Sequence, residues 1–261
     1  MNSTIILNKS WFNSTAGCYL RAKEQDLYDN AVADLFGFNA LQMGSLEMNL
    51  LRNSRIPNQY KSTDTNDTAN NLHMRCCDDF LPIANSSLDL LLLPHRLDFS
   101  ERPHQTLREA ERVMMPEGHI IISGFNPLST WGAKSKLVKL CSKHPEFPWS
   151  GKYIWLNRMK DWLALMGFEV ISIEMCCHVP PVQSESWHQR FSLMDKLGAR
   201  CCNILGGVYF IVAKKRVVGM MPIKPKWKAI SLASTLITRP TESRPSQKQG
   251  PKTKLNKKDY D

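Results

Sequence analysis

The stretch 89–132, DLLLLPHRLDFSERPHQTLREAERVMMPEGHIIISGFNPLSTWG, constrains this chain more than any other. Leu90 to Leu93 run apolar without alternation, the pattern of a strand buried on both faces. After a polar turn, Leu107, Ala110 and Met114 recur at helical spacing, while Arg108, Glu109, Glu111 and Arg112 fall mostly on the other side. That predicts a helix over 103–115, stopped by Pro116-Glu117-Gly118. A second buried strand is expected over 119–123. Strand, crossover helix and strand form a βαβ unit, whose strands pair in parallel. The loops leaving such strands gather at the carboxyl edge of the sheet, where open α/β folds hold their ligands.

The same reading extends along the chain. Leu27, Val32 and Leu35 share one face of an amphipathic helix expected over 20–36, with Gly37 as its stop. Strands are expected over 38–43, near 56–60 and over 72–77, with a short helix over 45–51 between the first two. Beyond Trp131, helices are expected over 133–141 and 157–165, the second capped by Asn157 and ended by Gly167. The alternating segment 168–175 and the apolar run 207–213 read as strands, with a helix starting at Ser184 or Ser186 between them.

Charge separates the chain into parts. Residues 214–261 hold thirteen basic and three acidic side chains, which accounts for the whole formal charge of +10 and leaves the rest neutral. This tail is rich in Pro, Ser, Thr, Lys and Gln, a composition expected to stay disordered. Its lysines suit an acidic partner or nucleic acid; a solubilising disordered segment explains the same composition and is the expectation here. The parts are then an N-terminal extension (1–19), a domain (20–216) and a basic tail (217–261). No apolar run reaches the ~20 residues of a membrane-spanning helix, and no signal-peptide core is present. Six of the eight cysteines lie in adjacent pairs, without the spacing of a zinc site. Free thiols in a reducing cytoplasm are the expectation, with no metal.

The order of elements and several spaced motifs resemble the class I S-adenosylmethionine-dependent methyltransferases, in particular the bacterial type 11 group. Leu81-Pro82-Ile83 followed by Ser87-Leu88-Asp89-Leu90 is similar to the family's LPF…SFDLV approach to its fourth strand. Leu107-Arg108-Glu109, Glu111-Arg112-Val113 and Pro116-Glu117-Gly118 are similar to its L.E..RVLKPGG helix and turn. Asp161-Trp162-Leu163 with Gly167-Phe168, Leu93-Pro94-His95, and Gly124-Phe125-Asn126-Pro127 with Trp131-Gly132 add to the likeness, which spans about residues 20 to 215. The resemblance implies a Rossmann-like, seven-stranded, mostly parallel sheet with helices on both faces and an antiparallel last strand. It also implies S-adenosyl-L-methionine as cofactor, and methyl transfer to an acceptor expected to be a small molecule.

The resemblance assigns site residues too. The family's first strand ends in a loop like DLGCGTG; here the stretch is Leu41-Gln42-Met43-Gly44-Ser45-Leu46-Glu47, with Gln42 where an acid is usual and one glycine left. Gln42, Gly44 and Pro94 are the candidates for the cofactor's amino acid end. Asp78 or Asp79 is the candidate acceptor for the adenine amine, with Phe80 and Leu81 as its apolar slot. The family's ribose-binding acid has no clear counterpart; Asn58 and Gln59 lie nearest, and Asp64 or Asp67 would need the loop to fold back. His95, directly after the fourth strand, is the candidate general base, although a structural histidine explains it equally. Asn126-Pro127 either meets the substrate or makes a turn. Asp89 is expected to fix the strand entry, and the charges on the 103–115 helix to form a solvated face. The depleted glycine loop also fits a different class of function, a methyltransferase fold that has lost catalysis and serves as a binding or scaffold protein.

Overall fold

The computed structural model describes residues 9–63, 73–181 and 205–216. The helix expected from Ser184 or Ser186, Asp64, Asp67, Cys201-Cys202 and the basic tail lie outside these residues. The chain begins with α1 (Lys9–Phe12) and α2 (Thr15–Ala33). It continues through β1 (Asn39–Met43), β2 (Asn58–Thr63), β3 (Met74–Arg75), β4 (Leu88–Pro94), α3 (Arg96–Phe99), α4 (Pro103–Val113) and β5 (Met114–Phe125). The last elements are α5 (Thr130–Cys141), α6 (Leu156–Leu165), β6 (Phe168–Cys176) and β7 (Val208–Lys215).

The seven strands form one sheet in the order β3-β2-β1-β4-β5-β7-β6. The first five pair in parallel, and β7 runs antiparallel to both of its neighbours, as the fold class anticipated. The leucines of β4 face both ways. Leu91 and Leu93 pack with Leu107, Ala110, Met159 and Leu163 of α4 and α6. Leu90 and Leu92 pack with Tyr28 and Val32 of α2 and with Met48, Leu50 and Ile56 of the loop after β1. Truncating any one of these fully buried leucines to alanine carries a cost of about 2–5 kcal/mol. Asp89 does fix the strand entry: its Oδ2 accepts from the backbone N–H groups of Phe38 (2.8 Å) and Asn39 (3.0 Å), tying the start of β1 to β4.

Several boundaries differ from the sequence reading. α2 starts at Thr15, ahead of the helix expected from residue 20. Ser14 caps α2 through the Gly17 amide, and Phe12 is buried against Phe147. Residues 45–51 make turns instead of a helix. β2 runs to Thr63, so its carboxyl end is Ser62-Thr63 and Asn58 and Gln59 lie at the opposite end, away from any ligand edge. β5 begins at Met114 and runs through the expected stop, with Glu117 in the left-handed region (φ 65°).

The charged face of α4 is more than a solvated one. Glu109 is buried and accepts from the Leu81 amide (3.1 Å). Arg112 pairs with Glu109 and donates to the carbonyls of Leu81 and Ile83 (both 2.9 Å) and to Asn85 Oδ1 (2.6 Å). The pair therefore clamps the 81–85 turn, which leads into the amino end of β4, onto the last turn of α4. Arg112→Ala is expected to lower stability by about 2–3 kcal/mol, because it strands a buried carboxylate and two carbonyls. A urea midpoint unchanged from wild type would contradict this.

Candidate active site

The carboxyl ends of β1 and β4 are adjacent because these strands pair, Ala40 to Gln42 lying opposite Leu90 to Leu92. At the end of β1 the chain turns through two left-handed residues, Gly44 (φ 82°) and Ser45 (φ 46°). Glycine adopts such a backbone at little cost; a side chain there is strained. The Gly44 amide donates back to Ser62 O of β2 (2.8 Å).

Gln42 does not face this edge. It is fully buried, and its Nε2 donates to the carbonyls of Gly44 (3.2 Å), Ser45 (3.0 Å) and Met48 (2.9 Å), while its Oε1 accepts from the Leu50 amide (3.2 Å). The carboxamide holds the 44–50 loop in shape. It also explains why an acid does not stand here: a carboxylate would set oxygen against three carbonyl oxygens and leave them without a donor.

The remaining candidates spread along the edge. Phe80 is 69% exposed. Leu81 is buried, its amide held by Glu109. Asp78 and Asp79 sit in the turn after β3, and Asp78 forms an ion pair with Arg96. Pro94 is buried at the tip of β4, opposite Ser123 of β5. Arg96, which the sequence reading passed over, is 3% exposed and lies across Gly44 towards Asp78. Its signal was position: it follows directly on the β4 turn, at the ligand edge.

His95 occupies a different environment from the one a base requires. It is 1% exposed, left-handed (φ 51°), and stacked on Phe125 with ring centroids 4.1 Å apart. Its Nε2 lies 2.6 Å from Glu24 Oε1 on α2, and its Nδ1 lies 3.7 Å from Asp98 Oδ2 on α3. Asp98 in turn accepts from the amides of Phe125 (2.7 Å) and Ile154 (3.3 Å). Burial opposes charging the imidazole, but the two carboxylates, Glu24 foremost, outweigh it and push its pKa up to about 10. Burial raises the Asp98 carboxyl, with His95 and the two amides acting against that. An imidazolium has no lone pair with which to take a proton, so the pairing with Glu24 and Asp98 sets this ring against the general-base role expected from its position.

Asn126 makes a turn: its Oδ1 accepts from the Leu128 amide (3.1 Å), and its Nδ2 donates to Gly206 O (2.9 Å). Phe147, Trp149 and Tyr153 pack with Phe12, Phe125 and Trp131 in an aromatic cluster under the edge, whereas Trp155 is 49% exposed. Trp155 helps to line a cavity of about 350 Å³ between the loop after β5 (Asn126, Leu128), the start of α6 (Leu156, Asn157) and the end of β6 (Ile173, Met175).

Removing the His95 ring leaves two buried carboxylates without their shared cation. His95→Ala is therefore expected to cost about 3–5 kcal/mol. A group whose folded pKa is raised gives stability that is complete below its unfolded pKa of ~6.5 and is lost as pH rises through the folded value near 10. Chemical denaturation across this window is expected to show wild-type stability falling from neutral towards alkaline pH, with a shallower fall in His95→Ala. Equal slopes would contradict the ion-paired assignment.

Comparison with known proteins gives these residues a context. A family model described as a methyltransferase domain, that of the type 11 group, matches residues 37–122. YafS of Escherichia coli (strain K12) is 32% identical over 222 residues, covering 82% of this chain and 84% of YafS. The fold is similar to that of a SAM-dependent methyltransferase from Thermotoga maritima (TM-score 0.59, 14% identity, 81% of this chain and 96% of that one). It is also similar to one from Archaeoglobus fulgidus (TM-score 0.54, 18% identity, 80% and 98%). The two solved structures share the architecture, and the domain match falls on β1 through β5, where the motif block and the ligand edge lie. The chain belongs to the type 11 group of class I S-adenosylmethionine-dependent methyltransferases.

Proposed function

We propose that this protein transfers the methyl group of S-adenosylmethionine to a small, largely apolar acceptor. The single observation that carries the acceptor class is the 350 Å³ cavity at the carboxyl ends of β5 and β6, a volume suited to a small molecule and lined mainly by Leu128, Trp155, Leu156, Ile173 and Met175. Asn157 adds an exposed carboxamide at its rim.

The edge over β1 and β4 fits the methyl donor. Among the described residues a Cβ built on Gly44 would meet only the Arg96 side chain, at 3.5 and 3.7 Å, so a ligand approaching this backbone meets that guanidinium arm first. Phe80 offers an exposed apolar face, Leu81 and Pro94 an apolar floor, and Asp78 or Asp79 an acceptor for an exocyclic amine. When bound, the donor supplies a methyl group already activated by its sulfonium. The protein's part is then to align the acceptor and to exclude water. With His95 held as a cation, no base stands at the tip of β4, so the reading favours an acceptor that is nucleophilic as bound. A cytoplasmic location belongs to the same reading, supported by the free thiols of Cys18, Cys76, Cys77, Cys141, Cys176 and Cys177. No described helix is long and apolar enough to cross a membrane.

A coupled assay that follows S-adenosylhomocysteine release over a panel of small acceptors tests the proposal. With an acceptor so found, Trp155→Ala is expected to raise the acceptor KM by about tenfold while S-adenosylhomocysteine affinity stays within about twofold. Turnover confined to protein or nucleic acid, or no calorimetric response to millimolar S-adenosylmethionine, would overturn it.

A further inference from the structure

The glycine loop that is similar to the family's has one glycine where the pattern has three, and the amide of that glycine is already engaged by Ser62 O (2.8 Å). Gln42 is engaged within the loop as well. Neither group is left to bind a carboxylate at the end of β1. Yet a cation stands at that place. Arg96 is 3% exposed, and its Cδ and Nη1 lie 3.5 and 3.7 Å from the point where a Cβ on Gly44 would sit. Its Nε is paired with the Asp78 carboxylate.

We propose that Arg96 is the residue that binds the carboxylate of the cofactor's amino acid end, supplying from a side chain the donor that neither the Gly44 amide nor the Gln42 carboxamide has left to give. This inference rests on the methyl-donor reading above. A guanidinium recognises a carboxylate through two parallel N–H···O bonds, a geometry a lysine cannot reproduce. Burial strengthens the attraction, because little water competes for the charge. Asp78 holds the cation in place without ligand, which avoids an unpaired buried charge. The cofactor carboxylate then shares the guanidinium with Asp78, which leaves Asp79 as the acceptor for the exocyclic amine.

Calorimetric titration of the full chain with two ligands tests this. S-adenosylhomocysteine carries the amino acid end; 5′-methylthioadenosine has the same nucleoside and thioether without it. Wild type is expected to prefer S-adenosylhomocysteine. Arg96→Gln is expected to weaken S-adenosylhomocysteine by about ten- to a hundredfold and to leave 5′-methylthioadenosine within about threefold. Arg96→Lys should recover part of the loss. The double variant Arg96→Met/Asp78→Asn removes both charges, guards against misfolding from a stranded carboxylate, and should show the same lost preference. Unchanged S-adenosylhomocysteine affinity in Arg96→Gln, or equal weakening of both ligands, would overturn the assignment while leaving the methyltransferase reading intact. If wild type bound neither ligand, that reading would fail and this inference with it.

Discussion

The contact between Glu24 and His95 decides where the N-terminal helix can sit. A carboxylate on α2 reaches an imidazole at the tip of β4 at 2.6 Å, with both side chains 1% exposed. Neither charge tolerates that burial alone, so each requires the other, and Asp98 completes the set from α3. Asp98 also accepts the amides of Phe125 and Ile154, so α2, β4, β5 and the segment before α6 all converge on one buried cation. Tyr28, one turn further along α2, continues the attachment by donating to Ser123 Oγ (3.3 Å). The aromatic cluster around Phe125 and Trp131 closes over the same place. What a ligand meets at the carboxyl edge is therefore set by residues distant in sequence and joined through charge.

Much of the scaffold was legible because hydrophobic period and turn chemistry are local. The non-alternating leucines of β4, the α4 face and the isoleucines of β5 follow from patterns a few residues wide. The extent of β2 was not legible, since NQYKST has little apolar character and owes its place to pairing with β1. The short helix over 45–51 failed for a related reason: Gln42, a residue outside the segment, satisfies its backbone groups in another shape. Glu24 did leave a trace. It lies in the row Leu20, Glu24, Tyr28, Val32, four residues apart and all buried, and a carboxylate within an apolar row calls for a buried cation elsewhere in the chain. No sequence spacing says which cation that is. His95 was recognised as special from its position after β4, but position alone cannot separate a catalytic base from a charge held in place.

These arrangements fit a site in which chemistry depends on placement. A sulfonium methyl is reactive without help from the protein, so alignment accounts for most of what an enzyme of this group must add. The 44–50 loop fixed by Gln42 and the β4 tip pinned through His95 are two rigid supports around the carboxyl edge, while Arg112 clamps the 81–85 turn that leads into the amino end of β4. The side chain of Arg96 lies at this edge against the left-handed Gly44. The apolar cavity beside Trp155 lies along the same edge, over β5 and β6.

The protonation state of His95 tests the account most directly. In selectively ¹⁵N-labelled protein, the ring nitrogen shifts of this histidine are expected to report an imidazolium with both nitrogens protonated from pH 5 through pH 8.5. A ring that titrates near 6.5, or that is neutral at pH 7.5, would contradict the ion-paired core and return His95 to the role of base.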